Sequence, residues 1–104
     1  MKEAEITRAG DTLLVAICCE IDHHTAKTIR EEIDASLLLG GIRSLNLDFS
    51  GVRFMDSSGI GLILGRVPKA EAVGANIVVT GLSPMLRKLV KMSGIERLER
   101  IRVK

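Results

Sequence analysis

The stretch Phe49–Gly61 constrains the fold of this chain more than any other part of its 104 residues. It begins as the end of a buried strand and passes through a loop in which Phe54 and Met55 are predicted to point inward. A helix then begins abruptly at Asp56–Ser58, where small polar side chains are suited to capping. A hydroxyl at Ser57 would therefore stand at the exit of a strand and at the positive end of a helix, which favours an anion.

An ordinary helix cap also explains this polar triplet. Aspartate and serine are both favoured at the residue before a helix, and by spacing alone a cap is the better explanation. In that interpretation Ser58 caps the helix, and a capping role for Asp56 is as well supported as a role in fixing the loop.

The order of the predicted elements, β-β-α-β-α-β-α-β, indicates a single α/β domain over residues 1–104. We expect a mixed sheet of about five strands with the helices mainly on one face. Residues 2–8 and 12–19 form a predicted hairpin, and residues 12–19 are apolar on both faces, as in an interior strand. Cys18 and Cys19 are adjacent on this strand and would point to opposite faces, so we expect two reduced thiols and no disulfide between them.

A first helix is predicted after Thr25 and ends near Gly40, with Asp22 as a reasonable N-cap. Its buried positions are Ala26, Ile29, Ile33 and Leu37, and its outer positions are Lys27, Arg30, Glu31 and Asp34. The next strand covers residues 44–49. Because a strand, a helix and a strand at this spacing form a crossover with parallel strands, the loops at 20–25 and 50–57 should be neighbours in space.

The second predicted helix starts near Ser57 and contains a proline, Pro68, where we expect a kink or a break. Gly61 and Gly65 leave a shallow strip that lets another backbone approach. The predicted buried positions are Ile60, Ile63, Leu64 and Val67. A strand at 76–80, a helix capped by Ser83 and a last strand at 97–103 complete the chain.

Composition excludes several functions. No apolar run is long enough to span a bilayer, and no signal peptide is visible, so a cytoplasmic protein is expected. The residues from Met85 onward carry seven Lys or Arg against two Glu, but they lack aromatic side chains for stacking on bases, so we expect no nucleic-acid partner.

Catalysis and metal binding are also poorly supported. The sequence around Ser57 lacks the Gly-x-Ser-x-Gly pattern of a hydrolase elbow. Asp22, His23 and His24 lack the spacing of a helical zinc pair. Gly59 and Gly61 lack the lysine of a phosphate-binding loop, so no enzyme, metal or cofactor is predicted.

Four blocks of sequence together resemble the anti-sigma factor antagonists of the STAS family, and within them the branch that acts in sporulation. The blocks occur in the family's order across nearly the whole chain: Ile21–Ala26, Phe54–Arg66, Ser83–Pro84 and Met92–Gly94. Two features depart from the family: Pro68 is unexpected, and the usual C-terminal helix does not follow the last strand, which would leave apolar surface for a partner.

The resemblance implies a regulatory role. An anti-sigma factor that is also a serine kinase would phosphorylate Ser57 with ATP, and a PP2C-type phosphatase would restore the serine. The unphosphorylated form would bind the anti-sigma factor and release the sigma factor. Asp56 would then fix the loop or orient the Ser57 hydroxyl, and Gly59 and Gly61 would permit close approach.

Asp22, His23 and Thr25 would form the other half of the docking surface, with Ser58 beside the phosphorylated residue. The protein is expected to be a monomer with no membrane partner. The alternative is a scaffold or nucleotide-sensing STAS domain without phosphate transfer. The antagonist is favoured because Asp56-Ser57-Ser58-Gly59 matches the phosphoacceptor form of the loop.

Overall fold

A computed structural model describes residues 2–104, and in that part of the chain it shows five strands and four α-helices. In chain order they are β1 (Ala4–Ala9), β2 (Thr12–Ile17), α1 (His23–Leu38), β3 (Ser44–Asp48), α2 (Ser57–Gly65), α3 (Val67–Val73), β4 (Asn76–Thr80), α4 (Pro84–Ser93) and β5 (Ile101–Val103), with a 3-10 turn at Ile95–Arg97. This is the predicted α/β domain. The last strand is shorter than predicted because Arg97 ends the 3-10 turn and residues 98–100 form a bend and a turn, so that β5 begins only at Ile101.

The strands form one mixed sheet in the order β1-β2-β3-β4-β5. β1 and β2 make the predicted antiparallel hairpin, and β2, β3, β4 and β5 run parallel to one another. Because β2, β3 and β4 are parallel, the loops that leave their carboxyl ends emerge at one edge of the sheet.

One face of this sheet carries the core. Val15, Leu47 and Val79 are paired across the three central strands and are fully buried. The opposite face is open, since Leu14, which pairs with Asn46, is 41% exposed. The prediction that residues 12–19 are covered on both faces is therefore wrong: helices cover only one side, and β2 alternates buried and accessible residues.

The second predicted helix is two helices, as Pro68 indicated. α2 ends at Gly65, Arg66 serves as its C-cap, and α3 begins at Val67 with the proline in its first turn. A proline there loses no helical hydrogen bond, because the first N–H groups of a helix have no partner within it. Leu62 is buried in this segment and Leu64 is 41% exposed, which corrects the prediction for Leu64.

Predictions about the helix N-caps and about the absence of a disulfide between the two cysteines are confirmed. Asp22 caps α1, and the hydroxyl of Ser83 accepts a hydrogen bond from the Leu86 N–H at the start of α4. Cys18 and Cys19 are free, as predicted, but the prediction that they lie on the strand is wrong, because β2 ends at Ile17. Burial raises the pKa of the Cys19 thiol, which favours its protonated form.

No helix within residues 2–104 has the length and apolar character needed to cross a lipid bilayer.

Candidate functional site

Two loops that are far apart in sequence are joined at the carboxyl edge of the sheet. The Ile21 N–H donates to the Phe54 carbonyl at 3.1 Å, and the Asp56 N–H donates to the Ile21 carbonyl at 3.2 Å. Ile21 and Met55 thereby form an isolated parallel bridge, and both side chains are buried. The predicted proximity of the 20–25 and 50–57 loops is confirmed, and this bridge holds the starts of α1 and α2 side by side.

Asp56 caps α2. Its carboxylate accepts a hydrogen bond from the Ser58 N–H at 2.7 Å, and its backbone is extended, as is usual for an N-cap. The prediction that Ser58 caps the helix is wrong, because Ser58 is the second residue of the helix and donates to the cap. The carboxylate is engaged with Ser58 and has no hydrogen bond to the Ser57 hydroxyl.

Ser57 is the first residue of α2 and is exposed. Its hydroxyl has no hydrogen-bond partner among residues 2–104, so no contact within the described chain has to break for the oxygen to react. A group on this oxygen would lie at the positive end of the helix dipole, next to the Asp56 carboxylate. The surroundings thus combine one favourable and one unfavourable electrostatic effect.

Phe54 and Met55 point in different directions. Met55 is 3% exposed and Phe54 is 53% exposed, so the prediction that both point inward is wrong for Phe54. The bridge between Ile21 and Met55 is extended backbone, in which neighbouring side chains alternate in direction. An exposed aromatic ring therefore lies beside the Ser57 loop, in a position suited to contact with another protein.

The start of α1 is fixed by a capping box. The Asp22 carboxylate accepts from the Thr25 N–H at 2.9 Å, and the Thr25 hydroxyl accepts from the Asp22 N–H at 3.0 Å. The hydrogen bond from the Thr25 backbone holds the pKa of the Asp22 carboxyl below its ordinary value. Thr25 is thus engaged in local structure, whereas Asp22 and His23 are exposed to an approaching protein.

The two glycines proposed for close approach have different surroundings. Gly59 is buried, and a Cβ added there would lie 2.4 Å from the Met55 sulfur, so a structural requirement alone explains this glycine. Gly61 is exposed, and a Cβ added there would meet no atom within 4 Å. Gly61 has room for a neighbouring molecule. Contact of a partner with either glycine stays a prediction.

Between α1 and α2 lies an open groove of about 350 Å³ that reaches the site. Gly61 and Gly65 form part of its α2 side, in agreement with the shallow strip predicted from their spacing. The lining residues are His23, Ala26, Lys27, Arg30, Ser58, Gly61, Leu62, Gly65 and Arg66. The groove therefore begins next to Ser57 and continues along two helices.

Arg66 is a buried charge that the sequence did not reveal. It is 4% exposed, and its Nη1 group pairs with the Asp34 carboxylate on α1. Its Nε–H group is buried without a partner within the described chain. Asp34, predicted on the outer surface, is instead part-buried in this pair. The sequence showed only that Lys27, Arg30 and Asp34 share one face of α1 at helical spacing. It did not indicate that Arg66 is the partner of Asp34.

No cluster of His, Cys, Asp and Glu within residues 2–104 has the proximity needed to hold a metal ion. The polar groups that the site presents are the exposed Ser57 hydroxyl, the Asp22 and Asp56 carboxylates and the cations of the groove.

A sequence model of the STAS domain family matches residues 3–104. The chain is 36% identical over 85 residues to the anti-sigma F factor antagonist of Lysinibacillus sphaericus, an alignment that covers 82% of this chain and 73% of that protein.

Two solved structures have the same fold over nearly the whole chain. The anti-sigma factor antagonist SpoIIAA in its unphosphorylated form matches with a TM-score of 0.82 at 29% identity, covering 97% of this chain and 87% of the other. The Bacillus cell fate determinant SpoIIAA in the phosphorylated form matches with a TM-score of 0.74 at 29% identity, covering 97% and 90% of the two chains.

Proposed function

The chain belongs to the STAS domain family, and on that premise we propose that it is an anti-sigma factor antagonist switched by phosphorylation of Ser57. The observation that carries the proposal is the position of the Ser57 hydroxyl, which is exposed, free of hydrogen bonds within the described chain, and located at the start of α2. The similarity of the chain to a relative solved in an unphosphorylated and a phosphorylated form supports phosphorylation as the switch.

In the proposed cycle the unphosphorylated protein binds an anti-sigma factor, and the sigma factor is released. The anti-sigma factor is also the serine kinase that transfers the γ-phosphoryl group of ATP to Ser57. A PP2C-type phosphatase hydrolyses the phosphoserine. The domain acts as substrate and ligand, performs no catalysis itself, and works as a monomer in the cytosol, where its kinase finds ATP.

The electrostatics of the site account for a switch that acts on binding and leaves the fold unchanged. Phosphorylation adds about −1.5 to −2 charges. The dipole of α2 stabilises that charge by about 0.3–1 kcal/mol, and the neighbouring Asp56 carboxylate opposes it, so the isolated domain gains or loses little. In a complex the dianion would be desolvated, and ~4 kcal/mol of penalty corresponds to about three decades of affinity.

The proposed docking surface consists of the two bridged loops. Asp22, His23 and Thr25 contribute from the start of α1, and Asp56, Ser57 and Ser58 from the start of α2. Gly61 offers room for a partner backbone, and the exposed ring of Phe54 adds apolar area beside the serine. Gly59 supports this surface from beneath.

The proposal is tested by mixing the protein with its purified cognate anti-sigma factor and labelled ATP. We expect one phosphate per chain, located on Ser57 by mass spectrometry, and no label on Ser57→Ala. Ser50→Ala, which changes another exposed serine of the same loop, is the matched control and should be labelled normally. Normal labelling of Ser57→Ala would refute the assignment.

A further inference from the structure

The groove between α1 and α2 has a one-sided charge. Lys27 and Arg30 lie on its α1 side, His23 lies at the end near the serine, and Arg66 contributes from the α2 side. No acidic residue lines the groove within the described part of the chain. The Asp34 carboxylate on α1 is paired with Arg66 Nη1.

The buried arginine is only partly satisfied. The Arg66 Nη1 group donates to the Asp34 carboxylate, and the Arg66 Nε–H group has no partner within residues 2–104. A guanidinium has five N–H groups, and a buried cation is costly unless most of them are paired. The Asp34 carboxylate already balances the single charge of this side chain, and an anionic acceptor in the groove would add a hydrogen-bond partner for its remaining N–H groups.

The shape of the groove favours a side chain of another protein. Gly61 and Gly65 contribute no Cβ atoms to its α2 side, and nothing lies within 4 Å of the positions that Cβ atoms would take at these two residues. The groove is open along its length and is continuous with the proposed docking surface through His23 and Ser58. A partner seated over Ser57 can therefore place a side chain in it.

We propose that this groove receives an acidic side chain of the anti-sigma factor, held by Lys27, Arg30 and Arg66. The inference rests on the proposed function and names a second anchor beside the serine. It also gives the switch a direct mechanism, because a phosphoryl group on Ser57, the neighbour of the groove residue Ser58, repels a carboxylate that enters there.

Charge reversal in the groove is the first test. In a binding assay with the purified cognate anti-sigma factor, Lys27→Glu and Arg30→Glu are each expected to raise Kd about tenfold or more, because a charge pair becomes a repulsion. Lys69→Glu on α3 changes an exposed lysine outside the groove and should bind within about twofold of the wild type, a difference too small for a lost ion pair. The binding of the wild type should weaken with salt more steeply than that of Lys27→Glu.

Filling the groove is an independent test that changes no charge. Gly65→Leu places a side chain into open space and is expected to weaken binding by a similar factor, while Ala72→Leu, on an exposed position of α3, should bind normally. Thermal unfolding of each variant establishes that it is folded. If Gly65→Leu does not fold, the binding of Lys27→Glu decides whether the groove inference holds.

The outcomes separate the two proposals. If the wild type binds and loses binding on phosphorylation, while the groove variants bind as the wild type does, the groove inference is wrong and the proposed function stands. If the wild type does not bind, both are wrong. If ATP or GTP alone binds in calorimetry and Gly65→Leu abolishes that binding, the occupant is a nucleotide and the assignment to a protein side chain is overturned.

Discussion

Gly59 and Gly61 lie two positions apart on α2 and have opposite surroundings. A methyl group at Gly59 would approach the Met55 sulfur to 2.4 Å and its Cγ to 3.0 Å, whereas one at Gly61 would stand in open space. Both glycines were predicted as contacts of a partner. At the scale of single residues, the surrounding packing distinguishes the glycine that the fold requires from the glycine that a partner can contact.

We predict that Gly59→Ala lowers the free energy of unfolding by about 1–3 kcal/mol, because Met55 is buried and must move. Gly61→Ala is the matched control and should raise it by up to about 1 kcal/mol, the usual gain when alanine replaces glycine in a helix. Urea denaturation measures both. A destabilised Gly61→Ala would contradict the open space above that residue.

The same control carries a functional readout. If a partner backbone comes close to Gly61, the alanine variant should be more stable and yet bind the anti-sigma factor more weakly. Unchanged binding would mean that Gly61 is outside the interface.

At the scale of elements, the ends of the helices are determined by short local motifs. The capping box at the start of α1 joins Asp22 to Thr25, and the Thr25 hydroxyl also donates to the Glu20 carbonyl at 2.9 Å. A single side chain thus connects the loop after β2 to the first turn of α1.

Thr25→Val keeps the shape of the side chain and removes its hydroxyl. We expect a loss of about 1–2 kcal/mol in stability, the net contribution usual for two hydrogen bonds, because the Asp22 N–H and the Glu20 carbonyl each lose a partner. Thr28→Val, on the next turn of α1, is the control and should be less affected. Equal losses in the two variants would contradict a special role for the cap.

The cap also predicts a pH dependence. Because the pKa of Asp22 is lowered in the folded state, its stabilising effect is complete above the ordinary pKa of aspartate and is lost as the pH falls through the folded value. Asp22→Asn keeps a capping oxygen without the charge. The difference in Tm between wild type and Asp22→Asn should therefore be constant near neutral pH and should shrink in acid.

At the scale of the whole molecule, the fold presents a rigid edge on which one charge is added. The bridge between Ile21 and Met55 joins the loops after β2 and β3, and the core lies directly beneath them. Modification of the exposed Ser57 leaves these contacts in place.

Phosphorylation of Ser57 should therefore change the free energy of unfolding by less than about 1 kcal/mol, the size of a helix-dipole effect. The same preparation should bind the anti-sigma factor about a thousandfold more weakly, as expected for a loss of ~4 kcal/mol. Urea denaturation and calorimetry on the two forms test the pair of expectations. A phosphorylated form that unfolds much more easily would indicate that the switch acts through the fold.

The order of the elements, the break at Pro68, the cap at Asp22 and the proximity of the two loops all follow from the amino-acid sequence. Each of these depends on residues within a turn or two of one another, or on the general rule that parallel strands end at the same edge. Phosphorylation at Ser57 is predicted from the resemblance to the antagonist family.

Which side of each residue is covered follows from the packing of the elements against one another. Leu14, Phe54 and Leu64 were expected inside and are accessible, because hydrophobicity alone does not specify which elements pack against a residue. The pair between Asp34 and Arg66 joins residues 32 positions apart, and no local pattern specifies such a contact. The basic groove exists only because the fold brings α1 and α2 together.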